Sequence, residues 1–418
     1  MQAVLDAILQ RLITIGRLTV VWPDGSYTVY AGEAGPGAAL RIRDKRTIRR
    51  LVLHPALALG EAYTSGDIVV ESGVVYDLLE TVLLNLQSKP DSHPVLRFRE
   101  TLSAFTRHVA RTSPVRGRRR HLAHNYDLNG RLYSLFLDRD RQYSCAYFPR
   151  GDETLEEAQT AKKRHIAAKL CLDRPGLRVL DIGCGWGGMA LTLARDFGAR
   201  VTGITLSQEQ LAAARARAAA EGLSERVRFE LADYRSVTDT YDRVVSVGVV
   251  EHVGIGQYRA FFESVARCLK PDGVALIDAI GRSNGTGSTN AWLRKYIAPG
   301  AYSPALSEVL PWVERSGLVA TDIEILRLHY AETLRHWRRR FAANRDAIAA
   351  LYDEPFCRMF EFYLAASEIS FRRRGHMVWQ LQLTHGDGAA PLTRDYIAAL
   401  EAGETVRPMA EATSPLRR

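Results

Sequence analysis

Val179-Leu-Asp-Ile-Gly-Cys-Gly-Trp-Gly-Gly188 is the stretch whose reading decides the fold. Val179–Ile182 is an apolar run of strand length, and an amphipathic helix is expected directly behind the glycines. Gly183, Gly185 and Gly187 let the chain turn sharply and bring backbone against a ligand with no Cβ in the way. The free amides opening the next helix make the pocket polar and positive-ended. Strand–loop–helix units of this kind serve phosphates and dinucleotides as well. Two details narrow the choice. No Gly-Lys-Ser/Thr follows, which excludes a P-loop. Asp181 stands two residues before the first glycine, where an acid suits a cationic ligand better than a pyrophosphate.

Working outward, Arg200–Leu206, Val227–Tyr234, Tyr241–Val250 and Gly273–Ile277 read as further strands, with helical segments between them. This alternation predicts an α/β fold: a doubly wound, Rossmann-like parallel sheet with helices on both faces. The chain resembles the class I S-adenosylmethionine-dependent methyltransferases, and a Rossmann-type dehydrogenase is the alternative. Tyr143, Ser144, Thr205, Leu206, Gln210 and Asp233 match cofactor-contacting positions of the related enzymes and join Asp181 and the glycines as expected S-adenosylmethionine contacts. Asp233 is placed to accept from the adenine amine.

Four segments outside this core are more specific: Gln142-Tyr-Ser-Cys-Ala-Tyr-Phe148, Ser246-Val-Gly-Val-Val-Glu-His-Val-Gly254, Trp292-Leu-Arg-Lys-Tyr-Ile-Ala-Pro299 and Tyr330-Ala-Glu-Thr-Leu-Arg-His-Trp337. From about residue 122 to 385 the chain is similar to the cyclopropane-fatty-acyl-phospholipid synthases and mycolic acid methyltransferases. That resemblance implies methyl transfer to the cis double bond of an acyl chain, a carbocation on the chain, removal of a proton from the new methyl group, and ring closure. The site must exclude water, stabilise the cation and hold a base. In the family the base is bicarbonate. Its holders match Cys145, Glu251, Ile280 through its backbone, and Tyr330, and a position usually held by histidine is Asp278 here.

Asp278 is the most informative departure, because a second carboxylate beside bicarbonate weakens anion binding. It is expected either to act as the base or to be protonated and donate to the anion; a plain N-terminal cap is the alternative. Asn125 and Arg131 also depart from the family pattern, and Ser367 stands where some members carry cysteine. These changes leave open a methyl- or methylene-branched product, and a non-catalytic lipid-binding relative. Cys145 also reads as a buried small residue, His252 as a packing or capping residue, and Trp292, Tyr296, Trp312, Trp337 and Trp379 as either core or acyl-channel lining.

At 418 residues, 46% apolar and 25% charged, the chain is an ordinary globular protein too long for one typical core. The expected division is an α+β lipid-facing domain over 1–110, a basic linker over 111–125, the methyltransferase domain over 126–390 and a tail over 391–418. Leu18–Trp22 and Tyr27–Tyr30 predict a hairpin across Pro23-Asp-Gly-Ser; 39–43 reads as a strand, 47–53 and 75–86 as helices, 298–307 as a loop over the site, and the chain after about 389 as irregular. No apolar run reaches bilayer length, Asp6 and Arg11 interrupt any signal peptide, and five scattered cysteines show no metal spacing. A cytoplasmic setting follows. The net charge of +9 is clustered at 41–50, 116–121, 335–340 and 372–374. No nucleic-acid module accompanies these clusters, so they point to peripheral contact with anionic phospholipid at the inner membrane face or to a solvated surface. The resemblance also implies a homodimer.

Overall fold

The computed structural model describes residues 1–88, 130–386 and 388–403. The linker, its basic run 116–121, Asn125 and the last residues lie outside these. The described residues form two compact units, each drawn from separated stretches of chain. One takes Met1–Leu137, Arg282–Tyr302 and Tyr330–Met377; the other takes Asp138–Gly281, Ser303–His329 and Val378–Arg418. These units cut across the chain-order division at 110, 125 and 390.

The first unit opens with helix Gln2–Leu12 and strands β1 (Ile15–Val21), β2 (Tyr27–Ala31), β3 (Glu33–Ile42) and β4 (Ile68–Ser72), in sheet order β2-β1-β3-β4. The hairpin forms as expected: β1 and β2 pair antiparallel, closed by the Trp22 amide on Ser26 O with Gly25 at φ +86°. β3 lies parallel to β1. Helices Lys45–Leu53, Pro55–Ser65 and Val75–Ser88 complete this part, around a core that includes Leu18, Val20, Trp22, Leu40, Ile68 and Leu78. Buried Asn85 accepts from the Thr14 and Ile15 amides and donates to Ile15 O, which satisfies the backbone where β1 starts. Elsewhere in this unit Phe136, Trp337, Phe341 and Phe360 interlock with ring centroids 5.1–6.3 Å apart.

The second unit carries β5 (Arg178–Ile182), β6 (Arg200–Thr205), β7 (Val227–Leu231), β8 (Tyr241–Val247), β9 (Leu269–Arg282), β10 (Val319–Leu326) and β11 (His376–Thr384), in order β10-β11-β9-β8-β5-β6-β7. β5 pairs in parallel with β6 on one side and β8 on the other. The chain therefore reverses its direction of winding at β5, and the glycine loop leaves the sheet at that switch point, where doubly wound sheets bind ligands. Helices Leu155–Lys169, Gly188–Phe197 and Gln208–Ala220 supply Ile166, Leu191 and Ala214 to the core over these strands.

Several boundaries differ from the sequence reading. The third strand stops at Leu231, because Asp233 caps a 3-10 turn over Tyr234–Ser236. The fourth stops at Val247; Gly248 turns at φ +68° and helix Val250–Val253 follows, so Glu251 is helical. The fifth runs on to Arg282 and contains Asp278 in mid-strand, which removes the capping alternative for that residue. β10 and β11 pair antiparallel and were not foreseen. The chain after 389 is not irregular throughout: helix Asp395–Glu401 packs Tyr396 and Ile397 against Ala168, Cys171 and Val274.

Candidate active site

At the end of β5 the glycines adopt backbone closed to most residues: φ is +83° at Gly183, +53° at Gly185 and +85° at Gly187. A Cβ on Gly183 would sit 2.4 Å from Val249, and one on Gly187 2.8 Å from Phe229, so both need glycine for packing as well. A Cβ on Gly185 meets nothing within 4 Å, which leaves the loop crest open to a ligand. Helix Gly188–Phe197 starts here with Gly187 as its N-cap and no side-chain cap on its first amides. Asp181 is buried at 2% exposure with Oδ2 unpartnered, and burial raises its pKa to about 7. A buried, unpartnered carboxyl beside an open glycine turn fits a ligand carrying positive charge. At the end of β6, Thr205 Oγ1 donates to Gln210 Oε1 at 2.9 Å, Ser207 caps the following helix, and Leu206 is exposed. The Asp233 carboxylate accepts from the Arg235 amide and guanidinium, so an adenine amine there competes with an existing partner.

The segment carrying Tyr143, Ser144 and Cys145 is anchored through residues that sequence reasoning missed. Lys162, 1% exposed, donates to Gln142 Oε1 at 2.6 Å and to Ser144 Oγ at 2.8 Å. Burial depresses its pKa to about 8 against the opposing pull of Asp138, and its charge also acts on Asp181 and Asp278. Gln159 donates to Ser144 O at 3.0 Å. The preceding turn holds Arg141 at φ +55°, with Asp138 accepting from the Asp140 and Gln142 amides. Asp140 pairs with Lys163 at 2.5 Å and with Arg217, whose guanidinium also donates to Trp186 O in the glycine loop. Cys145 is buried, its thiol 3.3 Å from Ala146 O.

Glu251, on the helix that follows β8, meets Asp278 and Ile280 of β9 where β8 ends beside it. Asp278 is the register partner of Val247, and its carbonyl accepts from Gly248 N. Glu251 Oε1 accepts from Ile280 N at 2.5 Å, while Oε2 is buried without a partner. Burial, reinforced by Asp278, pushes Glu251 up to about 8. Burial raises Asp278 to about 6 against a 3.0 Å hydrogen bond from Gln380 Nε2 on β11. Two carboxyl groups with raised pKa values thus lie near one another, Glu251 held protonated at neutral pH and Asp278 closer to its ionised form. A protonated carboxyl donates a hydrogen bond, and an ionised one takes up a proton, so the pair is equipped for acid–base work.

Tyr330 falls in the other unit, buried on helix His329–Ala343, with its ring 5.7 Å from Trp337 and 4.7 Å from Phe371. Trp292, Trp337 and Trp379 are core residues at 0–3% exposure, and Trp312 lies under the Arg315 guanidinium. Lys162, His165 and Lys169 lie three and four residues apart on one helical stripe, and that spacing was the available signal for the missed residues; read alone, it looks like a solvated face. Among the described residues no group of side chains is arranged to hold a metal ion.

The comparisons with known proteins bear on the family of the whole chain. The family described as "Mycolic acid cyclopropane synthetase" matches residues 115–381, and "Domain of unknown function (DUF7884)" matches residues 4–93. The cyclopropane-fatty-acyl-phospholipid synthase of Escherichia coli K12 is 36% identical, covering 85% of this chain and 91% of that protein. A tuberculostearic acid methyltransferase of Mycobacterium tuberculosis is 36% identical, covering 88% of each. A solved mycolic acid cyclopropane synthase complexed with SAH and CTAB superposes with TM-score 0.60 at 32% identity, covering 65% of this chain and 99% of that one. The chain belongs to the mycolic acid cyclopropane synthetase family and is an S-adenosylmethionine-dependent methyltransferase.

Proposed function

We propose that this enzyme builds a cyclopropane ring on the cis double bond of unsaturated phospholipid acyl chains. The observation that carries the reading is the pair of buried carboxyl groups, Glu251 beyond the end of β8 and Asp278 on β9, with one Glu251 oxygen unpartnered. When bound, S-adenosylmethionine supplies the electrophilic methyl carbon. The glycine loop, Asp181, Tyr143, Ser144, Thr205, Leu206, Gln210 and Asp233 hold it. The protein's remaining task is to manage a carbocation on the acyl chain: keep water out, place negative charge near it and take one proton from the new methyl group. Asp278 performs the last two, or a bicarbonate ion held by Glu251, Cys145 and the Ile280 backbone does. Tyr330 enters this set through the family resemblance. The substrate class follows the relatives named as acting on phospholipid and on fatty acids.

Membrane contact is peripheral, at the inner face, through residues 1–110 acting as the lipid-facing domain. No helix among the described residues is long and apolar enough to span a bilayer, and Arg43, Lys45, Arg46 and Arg49 are exposed together. The working unit is a homodimer, as the resemblance implies. Incubation of purified protein with S-adenosylmethionine and vesicles of cis-unsaturated phospholipid tests the reading. Gain of one CH2 with upfield ring protons in the proton NMR spectrum is expected. The same mass gain with vinylidene protons assigns a methylene-branching enzyme instead, and no mass change despite cofactor binding overturns the lipid reading.

A further inference from the structure

Tyr147 lies two residues past Cys145, with two imidazoles stacked on its ring. His165 stacks at 4.3 Å and 14°, and His329 at 5.1 Å and 17°. The hydrogen bonds assign opposite charge states to the two histidines. His165 Nδ1 is 2.6 Å from Glu401 Oε1 and its Nε2 is 2.7 Å from Glu324 Oε2. Carboxylates only accept, so both ring nitrogens carry protons and His165 is an imidazolium. His329 Nδ1 accepts from Phe148 N at 2.9 Å, so that nitrogen keeps its lone pair and His329 is neutral. Tyr147 thus stacks with one cationic imidazole, where the interaction is charge-assisted, and with one neutral imidazole. Its amide is fixed separately, donating to Ala158 O at 3.1 Å.

We propose that His165, Tyr147 and His329 form a positioning clamp that holds the Tyr143–Cys145 segment in register with the cofactor loop, and that Glu401 of the C-terminal helix fixes its charge. The clamp rests on the assignment of that segment to the cofactor and base site. None of its members touches the reacting atoms, so they are positioning residues. Other charges surround the stack. Lys169, fully buried, pairs with Asp322 and Glu324; Arg394 pairs with Asp322; Glu153 accepts from the Arg150 and Gly151 amides. Burial alone would lower His165, but the bonds to Glu324 and Glu401 outweigh it and keep it above the ordinary histidine value. The same contacts bring Glu324 down to about 2 despite its burial. His329 is pushed down by burial, in keeping with its acceptor role. The clamp therefore fails at two limits: on the acid side when His329 takes a proton and loses the Phe148 bond, and on the alkaline side when His165 loses its charge.

Glu401→Gln leaves an amide in place of one of the two carboxylates, at a position whose side chain is 28% exposed, so the protein is expected to fold. The affinity of full-length protein for S-adenosylhomocysteine, measured calorimetrically from pH 6 to 10, reads the clamp without any lipid product. Lys162 and Glu251 titrate near 8 in both proteins, so the difference between variant and wild type is the readout. Loss of one carboxylate partner should bring the alkaline loss of affinity about one pH unit closer to neutrality, and Glu401→Asp should restore much of the wild-type curve. His329→Gln, which keeps an acceptor for Phe148, should bind the cofactor more tightly than His329→Phe, which keeps only the stack. A Glu401→Gln curve parallel to wild type with a uniformly lower melting temperature would reduce the clamp to a structural staple and overturn the proposal. Failure of the cyclopropane reading would appear separately, as a wrong lipid product with this pH difference intact.

Discussion

Glu251 holds one carboxyl oxygen on the Ile280 amide and leaves the other buried without a partner, and its pKa rises from 4.5 to about 8 through burial. A raised carboxyl favours folding only while it is protonated. Its contribution is complete below pH 4.5, where both states hold the proton, and falls as pH rises toward 8, because the unfolded chain ionises first. Glu251→Gln keeps the shape and cannot ionise, so it is expected to melt higher than wild type at pH 8–9 by the equivalent of roughly 4 kcal/mol, to match it near pH 4.5, and to lose turnover. Thermal melts at the two pH values check this, and a lower melting point at pH 9 would contradict the assigned burial. Glu251 and Cys145 were legible only through the short segments shared with the family. Asp278 was legible as a departure from those segments, although its mid-strand position was not. Gln380 was invisible: it lies 102 residues from Asp278 in sequence, and only the β9–β11 neighbourhood brings them together.

Helix Leu155–Lys169 shows why some elements resist sequence reading. Its capping box, Thr154 with Glu157, marks the start plainly. Its lysines suggest a wet face, yet all three are buried against partners from other segments: Lys163 and Lys169 meet acids, and Lys162 meets Gln142 and Ser144. Lys162→Met would leave Gln142 and Ser144 without their donor, and is expected to weaken S-adenosylhomocysteine binding at least tenfold, about 1.4 kcal/mol, measured by titration calorimetry; unchanged affinity would remove Lys162 from the account. The five parallel strands were legible because each is an apolar run between helical segments. β10 was not, since its burial alternates only weakly and three of its apolar residues, Val319, Ile323 and Ile325, are exposed. Helix Asp395–Glu401 was missed because so short a segment depends on its tertiary partners, here Gln382 on the Tyr396 hydroxyl at 2.6 Å.

Over the whole molecule, the net charge of +9 is a poor guide to where a membrane would meet it. Much of the C-terminal arginine content is internally paired: Arg338 and Arg372 bind Glu368, and Arg335 and Arg372 bind Glu332. The run at 41–50 keeps Arg43, Lys45, Arg46 and Arg49 exposed. Arg46→Glu with Arg49→Glu should weaken binding to anionic vesicles by roughly tenfold or more at low salt, at about 1 kcal/mol per basic residue, and the difference should fade as salt screens it; vesicle sedimentation measures this, and equal binding would place the membrane contact elsewhere. Domain order was only partly legible, because residues 282–302 and 330–377 cluster with the N-terminal unit, and no composition change along the chain marks that return. The central claim is that the proton leaves from the newly transferred methyl carbon. Turnover of cis-unsaturated phospholipid with S-adenosylmethionine carrying a trideuterated methyl group tests it most directly. The account predicts a ring CD2, with one of the three deuterons lost to the base. A product that retains CD3 on a branched chain would contradict it.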